Sequence, residues 1–325
     1  MQNILLTSVG RRVELVDLFH KAVRDMNIGI AGVDIDGMAP ALFGCNQQGR
    51  VPRIDNPDYL TRLLGIVERD NVCLVVPTID TELEILAAHV DDFESQDCLV
   101  AVSSKSFVRD MLDKWITYWV FAKANILTPR TWTPQQARNP ESDLPSELFI
   151  KPRRGSASTN CFKITRDQVD AALTLVPDAV IQEYVDGSEV TIDAYVDMIT
   201  GRLVHFVPRY RLKTLGGECI QSFVFKDDDC NEQIKVCLDH LATRGARGPI
   251  TLQGFRTIHA GMVFTEVNPR FGGGFPMSAD CGAKYTEYLV NNMQGFECSP
   301  HIGEYSYDKY YSRALTGHEV SPLWQ

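Results

Sequence analysis

The chain has 325 residues, 44% of them hydrophobic, enough for two or three packed units with ordinary cores. A formal net charge of −10 and a pI near 5.2 argue against nucleic acid as the main partner and leave room for a local basic pocket. Nine cysteines without a CxxC pair suit reduced thiols in a cytoplasm, no secretory leader is expected in "MQNILLTSVG", and no apolar run predicts a membrane span.

The first hundred residues alternate strand and helix. "NILLTSVG" predicts a buried strand closing in a glycine turn, and "RRVELVDLFHKAV" carries apolar residues at helical spacing. "IGIAGVDID" and "VCLVVPTID" predict further strands, helical "TELEILAAHV" follows the second, and "CLVAVS" closes the series. Nearly all-apolar strands between helices predict a parallel sheet covered on both faces, with ligands at the carboxyl ends of its strands. Those ends carry Ser8, Gly10, Arg11 and Arg12, then Asp34 and Asp36, then Thr78, Asp80 and Glu82. The last trio suits an amine ligand and equally suits a helix N-cap with an acid in its first turn.

A helical stretch, "SFVRDMLDKWITYWVFAKANI", leads into the proline-marked connector "LTPRTWTP" and the polar loop "ARNPESDLPSE". From "LFIKPRRGSAST" onward strands dominate: "CFKIT", "AVIQEYV", "SEVTIDAYVD", "LVHFVPRYRL", "QSFVF", "PITLQGFRTI" and "MVFTEVN". Helices are predicted at "EQIKVCLDHLATRG" and "YTEYLVNNMQG", so the C-terminal half is α+β with antiparallel strands. The tail from about Ser299 shows no assignable pattern.

Chemistry concentrates in five segments. In "TEVNPRFGGGFP" the strand period puts Glu266 and Asn268 on one face, with Arg270 just beyond, a pattern that suits a Mg²⁺-bound polyphosphate or simply a solvated strand end. Gln253, on the preceding strand, falls opposite or nearly opposite Glu266 in an antiparallel hairpin, so three oxygen ligands converge. Lys151 precedes a small-residue turn whose N–H groups can meet phosphate; a solvated basic hairpin explains the same letters. Neither a Walker A loop nor GxGxxG after the first strand is present. The extended Glu183-Tyr184-Val185 can offer backbone groups to an adenine edge, and Glu189 can accept from ribose, although a plain hairpin fits as well. In "PRYRLKTLGGE", Arg209 and Arg211 share a face ahead of Lys213, suited to a substrate carboxylate or to a solvated strand end.

Taken in order, "DKW", "KPRRGSAS", "QEYVDGSE", "PRYR", "LQGF" and "EVNPRFGGG" resemble the ATP-grasp superfamily, most closely its carbamoyl phosphate synthetase-like branch, as a single stand-alone half. The resemblance spans nearly the whole chain and implies a Rossmann-like α/β domain over 1–103, a small ATP-grasp subdomain over 104–185, and a large one with the tail over 186–325. It also implies that Lys114 and Lys151 contact phosphates, that Gly155, Ser156 and Ser158 cover them, and that Glu183, Tyr184, Val185 and Glu189 bind adenosine. Gln253, Glu266 and Asn268 are then ligands for one or two Mg²⁺, with Mn²⁺ as a substitute, and Arg270 steadies the transferring phosphoryl group. Substrate contacts are expected from Arg209, Arg211 and Lys213 and from Ser8, Arg11, Thr78, Asp80 and Glu82. The implied activity is ADP-forming ligation of a small carboxylic acid, such as an amino acid, to an amine through an acyl phosphate. A bicarbonate- or carbamate-phosphorylating enzyme and a catalytically silent nucleotide sensor are the alternatives. The expected partners are small molecules, with a homodimer compatible.

Overall fold

The computed structural model describes residues 1–155 and 159–314, together with positions 317, 320 and 323; Ser156 and Ser158 lie outside the described residues. Three sheets organise the chain. The first is parallel and is built from β1 (Gln2–Thr7), β2 (Ile28–Asp34), β3 (Gln47–Arg50), β4 (Val72–Pro77) and β5 (Leu99–Val100), in the order β3-β2-β1-β4-β5. Apolar content does not predict β3, "QQGR"; an edge strand facing water is held by backbone pairing rather than by burial. Helix Val13–Ala22 buries Leu15, Val16 and Phe19 on one face of this sheet, and helix Tyr59–Arg69 buries Leu63, Ile66 and Val67 on the other. Asp34 is consumed at the crevice: its carboxylate accepts the Gly10 and Asp36 N–H groups, each at 2.8 Å.

The second sheet is antiparallel: β6 (Thr131–Trp132), β7 (Glu147–Pro152), β8 (Phe162–Thr165) and β9 (Ala179–Glu183), in the order β6-β9-β7-β8. The third holds β10 (Ser188–Val196), β11 (Leu203–Leu215), β12 (Glu218–Val224), β13 (Gly248–Thr257), β14 (Gly261–Asn268) and β15 (Lys309–Ser312), in the order β14-β13-β10-β11-β12-β15. The tail that shows no pattern thus supplies a sixth strand, paired antiparallel to β12.

The single helical stretch expected after residue 104 is two helices, Lys105–Met111 and Lys114–Lys123. They break at Asp113, whose side chain caps the second helix by accepting from the Trp115 and Ile116 N–H groups at 3.0 and 3.2 Å. Phe107, Met111, Val120 and Phe121 enter the core of the six-stranded sheet. Val108 of the first helix packs instead into the N-terminal core, so this helix pair straddles the units on either side of the expected division at 104.

Another core is continuous across the first and third sheets, joining Ile4, Leu6 and Phe19 to Phe271, Phe275 and Tyr285. Phe19 meets Phe271 edge-on at 6.1 Å between ring centroids. This contact fixes the loop after β14 against the N-terminal domain.

Candidate active site

A cavity of about 400 Å³ opens where the three sheets meet. Its floor is one face of the six-stranded sheet. Strand register places Glu266 directly opposite Gln253, Gln253 opposite Thr191, and Thr191 opposite Arg209, one row crossing four strands at about 5 Å per strand. Two residues along, Asn268 pairs with Thr251 and Thr251 with Asp193. The expected proximity of Gln253 and Glu266 is thus a direct cross-strand pair.

Over the β13–β14 end stand two ammonium groups. Lys114, at the start of its helix, donates to the Gly155 carbonyl at 2.6 Å and lies 4.0 Å from Glu266. Lys151, at the end of β7, is only 6% exposed. Burial pulls its pKa down to about 8, with Glu266 acting against that shift and Lys114 adding to it. The approach to Gly155 is fastened by Arg153, which bonds the Asp113 carboxylate at 2.9 Å. Cys161, half-buried, also lines this end; burial raises its thiol pKa while the two lysines work against that rise.

The side chains of Gln253, Glu266 and Asn268 have no hydrogen-bond partner among the described residues, and all three line the cavity. No cluster of three His, Cys, Asp or Glu side chains suited to a metal exists among the described residues. One carboxylate and two amide oxygens fit a hard cation when phosphate oxygens complete its shell, so the donor set fits Mg²⁺ held together with a polyphosphate.

Along the β9 edge, Glu183, Tyr184 and Val185 line the cavity. The Glu183 N–H is spent on the Arg130 carbonyl at 2.9 Å and the Tyr184 N–H on that of Glu147 at 3.2 Å. The Glu183 carboxylate pairs with Arg130 at 2.7 Å. Among these amides the Val185 N–H is the one without a described partner. Glu189 faces the cavity, held by Arg211 at 2.8 Å.

The opposite end gathers guanidinium groups. Arg209 is 1% exposed; its Nε donates to Asp193 at 3.0 Å, and Asp193 also accepts from Ser278 at 2.6 Å. Arg270 Nη2 donates to Asp80 at 2.8 Å, an ion pair between the large sheet and the N-terminal domain. Arg12, half-buried, donates to the Thr78 carbonyl at 2.9 Å, and burial together with repulsion from Arg270 lowers its pKa to about 10. Among the described residues seven buried side-chain atoms lack a partner, and four belong to residues lining the cavity, Asp80 Oδ1, Arg209 Nη1, Arg211 Nε and Arg270 Nε; a fifth, Asp193 Oδ1, lies beneath the glycine loop just outside it. Protein interiors satisfy such atoms, so this concentration marks a place prepared for a polar ligand.

Some expected substrate contacts lie elsewhere. Glu82 is fully buried and takes hydrogen bonds from Ser8, from Thr7 at 2.6 Å and from Tyr59 at 3.0 Å, so Ser8 and Glu82 form a structural hub outside the cavity. Burial raises the Glu82 pKa, against the pull of those hydroxyl donors. Lys213 is exposed on the β11–β12 hairpin and does not line the cavity. Arg211 is spent on Glu189 and on the Gly217 carbonyl at 3.0 Å, which makes it a brace for Glu189 rather than a free carboxylate clamp. Thr78 and Arg11 line the cavity, with Thr78 Oγ1 donating to the Ser8 carbonyl at 2.7 Å and Arg11 at the rim 3.7 Å from Glu218. Arg12, named only as part of the β1 strand end, lines it as well, as do Cys161, Thr191 and Glu218, which were not singled out. Arg12 carries a signal, as the second basic residue of the β1 turn; Cys161 carries none.

Residues 4–101 match the family model of the PylC-like N-terminal domain, and residues 175–307 match that of the ATP-grasp in the biosynthetic pathway with Ter operon. No curated protein matches the chain by sequence. Among solved structures, the chain is similar to the biotin carboxylase domain of Hydrogenobacter thermophilus 2-oxoglutarate carboxylase, in complex with MgADP, ADP and bicarbonate. That match has a TM-score of 0.76 and 12% identity, covering 94% of this chain and 73% of the other. The ADP complex of Staphylococcus aureus N5-carboxyaminoimidazole synthetase matches with a TM-score of 0.72 and 12% identity, over 95% and 80% of the two chains. The L-amino acid ligase of Bacillus licheniformis gives 0.70 and 14%, over 92% and 75%. At these identities the likeness is one of fold.

Proposed function

Because the chain joins a PylC-like N-terminal domain to an ATP-grasp domain, we propose that it is an ATP- and Mg²⁺-dependent ligase that couples a small carboxylic acid, an amino acid or similar, to an amine. The observation that carries this reading is the Gln253–Glu266 cross-strand pair with Asn268, side chains without a hydrogen-bond partner among the described residues, set opposite two buried lysines of which Lys114 lies 4.0 Å from Glu266.

Lys114 and Lys151 receive the phosphates, Val185 and Glu189 the adenosine, and Gln253, Glu266 and Asn268 hold Mg²⁺, which supplies charge neutralisation when bound. Phosphoryl transfer to a carboxylate brings anions together, and the lysines and Arg270 offset that repulsion in a site of low dielectric. The γ-phosphoryl passes to the acid's carboxylate oxygen, giving an acyl phosphate and ADP. The amine nitrogen then attacks the acyl carbon, the carbon–oxygen bond to phosphate breaks, and phosphate leaves as the nitrogen gives up a proton. No cysteine or serine nucleophile is required.

All nine cysteines are free thiols, which supports a reducing cytoplasm as the place of action. Mn²⁺ is expected to replace Mg²⁺ at an all-oxygen site. The test is ADP release from pooled acids and amines, with product mass. Turnover requiring both substrates supports the ligase. Bicarbonate-dependent turnover without an amine replaces it with a carboxylase, and nucleotide binding without turnover replaces it with a sensor.

A further inference from the structure

Arg270 is the cation expected to meet the transferring phosphoryl group, yet its charge is already engaged. Nη2 donates to Asp80 Oδ2 at 2.8 Å and Nη1 to the Phe271 carbonyl at 3.2 Å, while Nε is buried without a partner. Asp80 cannot follow Arg270 toward a nucleotide. It follows β4 between two fixed neighbours: Thr78, fully buried and bonded to the Ser8 carbonyl, and Glu82, fully buried beneath three hydroxyl donors. If the pair opens, the arginine moves.

What opens it must satisfy Asp80. Its second oxygen, Oδ1, is buried, unpartnered and part of a cavity-lining residue. A carboxylate accepts several hydrogen bonds, so Oδ1 stands as an acceptor in need of a donor. Arg12 is close but is directed to the Thr78 carbonyl. Asp193 Oδ1, the other unpartnered carboxylate oxygen of the group, belongs to a residue beneath the glycine loop that does not line the cavity. Water would satisfy the lone pair and leave Asp80's charge on Arg270. A ligand ammonium group would satisfy it and compete for that charge.

We infer that Asp80 is a positioning residue that parks Arg270 and that the ammonium group of an amine-bearing substrate, seated on Asp80 Oδ1, releases Arg270 to the γ-phosphoryl group. The inference rests on the ligase reading and adds order to it. Phosphoryl transfer waits for the nucleophile's carrier, so a hydrolysable acyl phosphate does not form in an incomplete site.

The experiment compares Mg²⁺ complexes of ADP and of the non-hydrolysable β,γ-imido analogue of ATP by calorimetry, because only the latter carries the γ position. Asp80→Asn should raise the preference for the imido analogue over ADP about tenfold, with ADP affinity unchanged. Adding Arg270→Ala to Asp80→Asn should erase that gain, and Asp80→Glu should restore wild-type behaviour. A pool of α-amino acids should raise the same preference in the wild type and leave Asp80→Asn unmoved. An unchanged or lowered preference in a folded Asp80→Asn protein overturns the inference and leaves the ligase reading standing. Loss of binding of both nucleotides by the wild type overturns both.

Discussion

Lys151 offers a quantitative test through pH. In the nucleotide-free protein burial sets its pKa to about 8, and phosphates need the ammonium form. Binding anionic oxygens beside the group returns its pKa toward the ordinary lysine value of about 10.4. The dissociation constant of MgADP should therefore be flat below pH 7.5 and rise as the free protein loses that proton. At pH 9 about one lysine in eleven remains charged, so affinity should fall about tenfold from pH 7 to pH 9, equivalent to about 1.4 kcal/mol. Folding stability moves the other way. Between pH 8 and 10 the unfolded chain holds a proton that the folded site has shed, so this residue's cost, up to about 3 kcal/mol, is relieved as pH rises. Calorimetric titration at half-unit steps measures the first effect and urea unfolding at the same steps the second. Lys151→Arg, charged throughout, should flatten the binding profile at the expense of a poorer fit. A wild-type profile already flat between pH 7 and 9, or one matched by Lys151→Arg, would refute the reasoning.

Glu266→Gln should reduce turnover by at least about a hundredfold and weaken MgADP by only a few fold, because it removes the one carboxylate of the metal set; unchanged turnover dismisses that set. Arg209→Met should cost about 3–5 kcal/mol in urea unfolding by leaving Asp193 charged and buried, and adding Asp193→Asn should recover much of it. Gly274→Ala would place a Cβ 2.5 Å from Arg209 Nη2. It should destabilise by about 1–3 kcal/mol and raise the acid's KM while MgADP affinity holds, since the disturbance lies at the guanidinium end.

Local pattern carried much of this architecture. Period-two alternation and the short "IHAG" turn bring Gln253 to within a residue of facing Glu266; an unbroken register from that turn would pair it with Thr265, and the irregularity between Gln253 and Gly254 that makes Glu266 its partner has no local signal. Lys151 was legible as a strand end before a small-residue turn, whereas Lys114 was marked only by the resemblance, because the helix break that places it was not foreseen. What stayed hidden depends on contacts between distant segments. Nothing near Glu82 announces that Thr7, Ser8 and Tyr59 will bury it, and nothing near Arg270 announces Asp80. Arg211 looked like Arg209 on the strand, and their fates differ because one leans to Glu189 and the other to Asp193. The strands β3 and β15 carry little apolar signal, since edge strands are defined by the partner they meet.

The lacing of β15 onto β12 has a practical side. Arg313, one residue beyond that strand, bonds the Gly273 carbonyl at 2.9 Å and reaches Glu14 on the first helix. Trimming the polypeptide from residue 309 would thus unzip a sheet border and slacken the glycine loop in one stroke, confounding any activity comparison between shortened versions. Fluorophores or surface tethers belong on the far rim, at Ile258 in the β13–β14 turn, 96% exposed. From there a reporter would share a hairpin with Gln253 and Glu266 without touching the seam that holds the two ends of the molecule together.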